Sequence, residues 1–203
     1  MYIYHYSKKD FDIIKSLRKQ NSLTKKELDN IDKKYFAKYI PGRYSYSISF
    51  FIEPIPTDII GDLFDNKHKV WYNGNELYEY KVLVESLEKN IYYIFLESPE
   101  VIKYRYSLDT DSMTDDEFEI YLDKLNDIIH NNNDVGIGRD NLEKQIKKYL
   151  GITRNQFIKA RKLPDAKDTF NLYAANVTHL MLFPSNGEIQ YQEKTKVIIG
   201  NKY

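Results

Sequence analysis

The chain of 203 residues contains no cysteine. That excludes disulfides, thiolate nucleophiles and cysteine-based metal sites, and it fits a reducing compartment. It has no net charge either, since 30 Lys and Arg residues balance 30 Asp and Glu. Nothing therefore draws the whole molecule towards nucleic acid or an anionic membrane, and binding of that kind needs a local patch. No stretch of 18 apolar residues occurs, so no helix is expected to span a bilayer. Lys8, Lys9 and Asp10 stand where a secretory leader would carry its apolar stretch. No cleaved leader is expected, and a cytoplasmic location is. Repeats and low-complexity linkers are absent.

Several chemical signatures are missing too. The histidines, at positions 5, 68, 130 and 179, are too scattered for a zinc site, so no metal is expected. "GIGRD" lacks the second half of a dinucleotide fingerprint and the lysine of a phosphate loop. "DTDSMTDDE" has acids but not the central glycine of a calcium loop, and helix capping explains it better.

What is present is the composition of a folded globular protein, 42% hydrophobic and 30% charged. The length suits one domain over 1–203. Counts of 23 Ile, 24 Lys, 16 Asn and 19 Tyr favour AT-rich codons, as in a low-GC bacterium or one of its phages.

Periodicity supplies the elements. "YIYHYS" alternates Tyr2, Tyr4 and Tyr6 with Ile3, His5 and Ser7, which predicts a strand. "KKDFDIIKSLRKQ" spaces Phe11, Ile14 and Leu17 as a helix does. "LTKKELDNIDKKYFAKYI" adds a second helix, with Thr24 and Glu27 forming a capping box. "RYSYSISFFIEP" reads as the clearest strand, with Tyr44, Tyr46, Ile48 and Phe50 on one face and Ser45, Ser47 and Ser49 on the other. Thr57 is placed to cap a short helix, and Asn73-Gly74 to make a turn between aromatic runs. "YYIFLES" and "VIKYRYSL" read as strands. "TDDEFEIYLDKLNDIIH" predicts a helix whose inward stripe is Phe118, Tyr121, Leu122, Leu125, Ile128 and Ile129. "NNNDVGIG" reads as a loop, and "RDNLEKQIKKYL" and "TRNQFIKARKL" as two helices. "HLMLF", "EIQYQ" and "KVIIG" return to strands around a turn at Asn186-Gly187. The expected fold is α+β, with N- and C-terminal strands in one mixed or antiparallel sheet and a helical block at about 110–165.

Two strand faces hold the first candidate site. His5 with Ser7, and Ser45, Ser47 and Ser49, would line a hydroxyl-bearing groove if their strands are neighbours. The plainer alternative is an exposed polar face with tyrosines packed beneath it. "YHYS" and the later "YSIS" resemble the opening and middle signatures of ADP-ribosyltransferases. The resemblance implies NAD as cofactor, with His5 against a ribose, Ser47 with Ser49 or Tyr46 in the middle role, and Ser7 beside the ligand. It also implies a catalytic Glu188 or Glu193, an anion beside a developing positive charge. Asn186 and Tyr191 stand two positions before those glutamates, where arginine-modifying members carry Gln or Glu.

Residues 142–162 hold the second. Ile146, Leu150, Gly151, Ile152, Thr153 and Phe157 approximate a helix-turn-helix, and Arg154, Lys159, Arg161 and Lys162 are placed to meet phosphates. The alternative is a helical hairpin whose basic side, with seven cations from 144 to 162, meets the acidic stretch 109–127.

The general character resembles small phage-encoded proteins that act by binding other proteins, as virion accessories or inhibitors of host machinery. An aromatic content of 15% suits interface anchors. The leading expectation is thus a protein partner, with an NAD-binding or ADP-ribosyltransferase-like activity second and DNA binding third. No membrane is expected to be involved.

Overall fold

The structure, a computed structural model, describes residues 1–34, 44–55, 76–95, 98, 100, 104, 113–131, 134–160 and 179–198. The strands are β1 (Tyr2–Ser7), β2 (Ile14–Lys15), β3 (Ile48–Phe51), β4 (Glu76–Leu83), β5 (Tyr92–Phe95), β6 (Asp134–Ile137), β7 (His179–Phe183), β8 (Glu188–Ile189) and β9 (Glu193–Ile198). The helices are α1 (Lys25–Lys34), α2 (Asp115–Asn131) and α3 (Arg139–Ala160). The fold is α+β. Seven strands form one antiparallel sheet in the order β6-β5-β7-β3-β1-β4-β9, and β2 with β8 makes a small second ladder. Strands from both ends of the chain do share the main sheet.

Register decides what each face carries, because paired residues in an antiparallel ladder point to the same side. Ile3 stands opposite Val82 and His5 opposite Tyr80. Their face also holds Phe50, Leu180, Leu182, Tyr93 and Phe95, all buried. α3 covers one end of it through Leu142, Ile146 and Tyr149, with the Tyr149 ring stacked on Phe95 at 4.2 Å. Ile14 and Ile189 of the small ladder belong to the same core. The other face carries Tyr4, Lys81 and Glu193 in one row and Tyr6 and Glu79 in the next. The face bearing His5 is thus the covered one, and Tyr4 and Tyr6 lie on the opposite side rather than beneath it.

Gly136 shows why β6 tolerates no side chain there. A Cβ at that position would overlap the Tyr93 ring, so the buried ring packs directly on the glycine backbone.

Four expectations need correction. Residues 8–20 form β2 and turns, not a helix. Ser7 Oγ accepts the Lys9 N–H and starts a turn. The Tyr80 hydroxyl then accepts the Phe11 N–H and donates to the Lys9 carbonyl, and Tyr191 donates to the Phe11 carbonyl. Carbonyls that a helix would pair internally are bonded to tyrosines far along the chain. Residues 44–46 form a 3-10 turn, leaving only Ile48–Phe51 as strand. "DVGI" is the edge strand β6, not a loop. Finally, α3 runs unbroken through Gly151, so the expected helix-turn-helix has no turn.

The capping box expected at Thr24 forms, and a second of the same kind starts α2. Glu27 accepts from the Thr24 N–H and hydroxyl at 2.7 Å, and Glu117 does the same with Thr114 at 2.9 Å. In α2, Tyr121 and Leu125 are buried as expected, whereas Phe118 and Leu122 are exposed. Among the described residues no helix is long and apolar enough to cross a membrane. The segment after Thr57, the Asn73-Gly74 turn and most of "VIKYRYSL" lie outside the described residues.

Candidate functional site

β1 pairs with β4 from Tyr2 to Ser7, but with β3 only at Tyr4 opposite Phe51. Beyond that bridge the two strands part. Where Tyr6 would next meet Ser49, the His5 ring takes the Ser49 carbonyl instead, with Nδ1 at 2.8 Å. A carbonyl only accepts, so Nδ1 carries the hydrogen and Nε2 keeps its lone pair. Phe11, Phe50 and Tyr80 surround the imidazole at centroid distances of 6.3, 5.6 and 5.8 Å. Burial among them pushes its pKa down to about 4, against the opposing pull of the Ser49 carbonyl. The ring is neutral at pH 7.

The parting strands open a cleft of about 460 Å³. His5, Ser7, Lys8, Lys9 and Phe11 line one side, Lys15, Leu17 and Gln20 another, and Tyr44, Ser47 and Ser49 a third. That volume falls in the usual range for small-molecule sites. An adjoining hollow of about 500 Å³ shares Lys9, Phe11, Lys15 and Gln20 and adds Asp10 and Asp12.

A polar staple holds the third wall. Asp32, nearly fully buried, accepts the Ser45 N–H at 2.6 Å and the Ser45 hydroxyl at 2.9 Å. Arg18 reaches the same carboxylate at 3.3 Å and donates from Nε to Ser45 Oγ at 3.1 Å. Its guanidinium also lies 4.5 Å from the Tyr46 ring centre. The Arg18 N–H bonds the Ser45 carbonyl at 2.9 Å. α1, the 16–20 turn and the chain leading into β3 are tied together through one carboxylate.

The cleft brings His5, Ser7, Ser47 and Ser49 together, although not as two facing strand surfaces. Ser45 is turned to Asp32, Ser47 donates to the Tyr44 carbonyl, and Ser49 offers its backbone oxygen. Tyr46 is exposed and stacked under Arg18 rather than lining the cleft. The two glutamates do not join. Glu193 lies on edge strand β9, ion-paired with Lys81 at 2.9 Å, on the face opposite His5. Glu188 stands beside Lys15 in the small ladder, but its carboxylate lies 4.0 Å from Lys19, outside the cleft. No Asp or Glu lines the cleft among the described residues.

Arg154 and Lys159 lie in the second half of α3, and Arg161 and Lys162 lie outside the described residues. His179, on β7, stacks on Phe51 at 5.3 Å, and burial lowers its pKa to about 4. Among the described residues, no group of three or more His, Asp or Glu side chains is arranged to hold a metal.

Sequence reasoning missed Lys8, Lys9, Phe11, Lys15 and Gln20, because their spacing fits a helix. No signal in the sequence argued against one: Asn21, at positive φ (54°), is equally the residue a helix C-terminus would carry.

Fold and site define an antiparallel α+β protein with a basic, imidazole-bearing cleft at a parting of two strands. Comparisons with protein-family models, curated proteins and solved structures found no match for this chain.

Proposed function

We propose that this protein binds a small molecule in the β1–β3 cleft and holds it without cleaving it. The observation that carries this reading is the convergence of His5 and Ser7 from β1 and Ser47 from the chain leading into β3 around one hollow of ligand size. A neutral imidazole with a free Nε2 accepts a hydrogen bond from a ligand hydroxyl or amide. With no carboxylate among the described lining residues, nothing there stabilises a ribosyl cation, so ribosyl transfer is not part of the proposal. NAD is the first ligand to test, as the resemblance to ADP-ribosyltransferases suggests. Calorimetric titration of wild type and His5→Gln is the experiment. Saturable binding, lost in the variant and without release of nicotinamide, supports the reading. Turnover would overturn its non-catalytic half, and no binding of NAD, adenosine, nicotinamide or ribose 5-phosphate would overturn it altogether.

A second reading, a small phage-type protein acting on a protein partner, draws on the sheet edges. β9 is an edge blunted by Glu193, Lys194 and Lys196, as soluble proteins commonly arrange. β6, the opposite edge, leaves Val135 and Ile137 exposed by 44% and 63%. An edge of that kind suits an added strand from a partner. A co-purifying protein lost with Ile137→Lys, at unchanged stability, would favour this reading. One retained would place the contact elsewhere.

A further inference from the structure

Basic side chains gather in the cleft with no acidic one among its described lining residues. They are Lys8, Lys9 and Lys15. Of the nearby acids, Asp10 pairs with Lys194 at 2.5 Å and Glu188 sits 4.0 Å from Lys19, while Asp12 lies exposed in the adjoining hollow beside Lys9 and Lys15. Lys9 is held by Gln20 Oε1 at 2.6 Å, and Gln20 is fixed in turn by its bond to the Lys15 carbonyl at 2.8 Å. Lys15 is half-buried, and neither its ammonium nor that of Lys8 meets an acceptor among the described residues. Like charges gathered in one hollow repel, and a bound anion relieves that repulsion.

Polarity also varies along the cleft. Ser7 Oγ accepts the Lys9 N–H, so its own hydrogen is available to donate. At the inner end, His5 Nε2 presents a lone pair, which repels an anionic oxygen and suits a ligand hydroxyl.

From this arrangement we infer that the ligand is a hydroxylated phosphate monoester, with its phosphate on Lys8, Lys15 and Ser7 and a hydroxyl on His5. The inference rests on the cleft being a ligand site. It adds the anion, its place and the orientation of the molecule. Charge-assisted bonds from two ammonium groups and a hydroxyl give the phosphate end its affinity, and the imidazole selects for a donor at the other end. No covalent step is involved.

The test is titration of inorganic phosphate, ribose 5-phosphate and ribose into wild type, Lys8→Gln/Lys15→Gln, Lys15→Glu and Lys33→Gln. Lys33 is an exposed lysine on α1 outside the cleft and serves as control. Ribose 5-phosphate should bind more tightly than phosphate or ribose alone. The double variant should weaken it by about tenfold or more, Lys15→Glu should weaken it further, and Lys33→Gln should leave it within about twofold of wild type. Addition of salt should weaken binding in wild type and much less in the double variant. Because the two ammonium groups have no protein partner among the described residues, the variants should unfold at the wild-type midpoint, which separates lost binding from lost structure.

Binding of ribose 5-phosphate that ignores both lysine variants overturns the inference. Failure of phosphate and ribose 5-phosphate to bind, while NAD or adenosine still binds in a His5-dependent way, overturns the phosphate assignment and leaves the cleft reading standing. Failure of every ligand overturns both.

Discussion

Asp32 is the most exacting place to test the architecture. Asp32→Ala removes the acceptor for the Ser45 N–H, the Ser45 hydroxyl and Arg18, on a carboxylate that is 4% exposed. Breaking a fully buried charged pair costs about 3–5 kcal/mol. Here the Arg18 side chain is 26% exposed and can turn to water, which discounts its share. The two Ser45 donors have no such escape, and a hydrogen bond to a charged group contributes about 1.5–3 kcal/mol. The expected loss for Asp32→Ala is therefore about 3 kcal/mol. In a chain of this length that corresponds to a fall of about 6–12 °C in Tm. Asp32→Asn keeps one oxygen for the Ser45 N–H but aims an amide at Arg18, so about half the loss is expected. Urea unfolding of the single variants and of the Arg18→Ala double mutant measures both losses and their coupling. A loss below about 1 kcal/mol for Asp32→Ala, or strict additivity with Arg18→Ala, would refute the staple.

Acid provides a second check. His5 and His179 titrate near 4 in the folded protein and near 6.5 when unfolded, because burial disfavours their charged forms. Between those values the unfolded chain binds protons that the folded one does not, so stability falls as pH drops from 6.5 to 4 and is fully present above 6.5. Each imidazole should contribute up to about 3 kcal/mol to that fall, seen as a declining urea midpoint. His179→Phe should flatten the decline, and a midpoint constant over that range would refute the assignment. Gly151→Ala offers a third. Gly151 is exposed inside α3, and an added Cβ meets nothing within 4 Å. The substitution should raise stability by about 0.5–1 kcal/mol. A loss of stability would mean that a turn exists there after all.

What the sequence made legible was mostly local. Thr24 with Glu27 and Thr114 with Glu117 form the boxes their spacing announces, because a cap needs only residues three apart. The alternation in "YIYHYS" fixed the two faces of β1, although not which one is covered. That depends on where α3 and the small ladder pack, which no local pattern encodes. Residues 8–20 show the converse failure. Phe11, Ile14 and Leu17 have helical spacing, yet Tyr80 and Tyr191, far along the chain, claim the carbonyls a helix would use. The basic residues of the cleft were hidden by the same error. "DVGI" gave no strand signal, since its glycine serves the close approach of Tyr93, a partner separated by some forty residues. His5, Ser7 and Ser47 were nameable beforehand; the position of the glutamates outside the cleft was not, because it depends on strand order.

The cleft and the staple follow from one another. Antiparallel strands of this length would ordinarily zip to their ends, as β1 does with β4. On the β3 side the zip stops at Tyr4 and Phe51. The chain just before β3 is committed to other partners: Asp32 and Arg18 draw Ser45 towards α1, and residues 44–46 take a 3-10 turn instead of extending. The Ser49 carbonyl would then lose its ladder partner, and a buried carbonyl left alone is costly. His5 supplies that partner through Nδ1, which fixes its tautomer and directs Nε2 away from the carbonyl. A residue that accepts there, or one too short to reach, would leave the opening unsupported. The imidazole thus closes a gap in the sheet's hydrogen bonding, and the same bond leaves its second nitrogen free to receive a ligand. Structural and binding roles need not compete at His5, because they fall on different ring atoms.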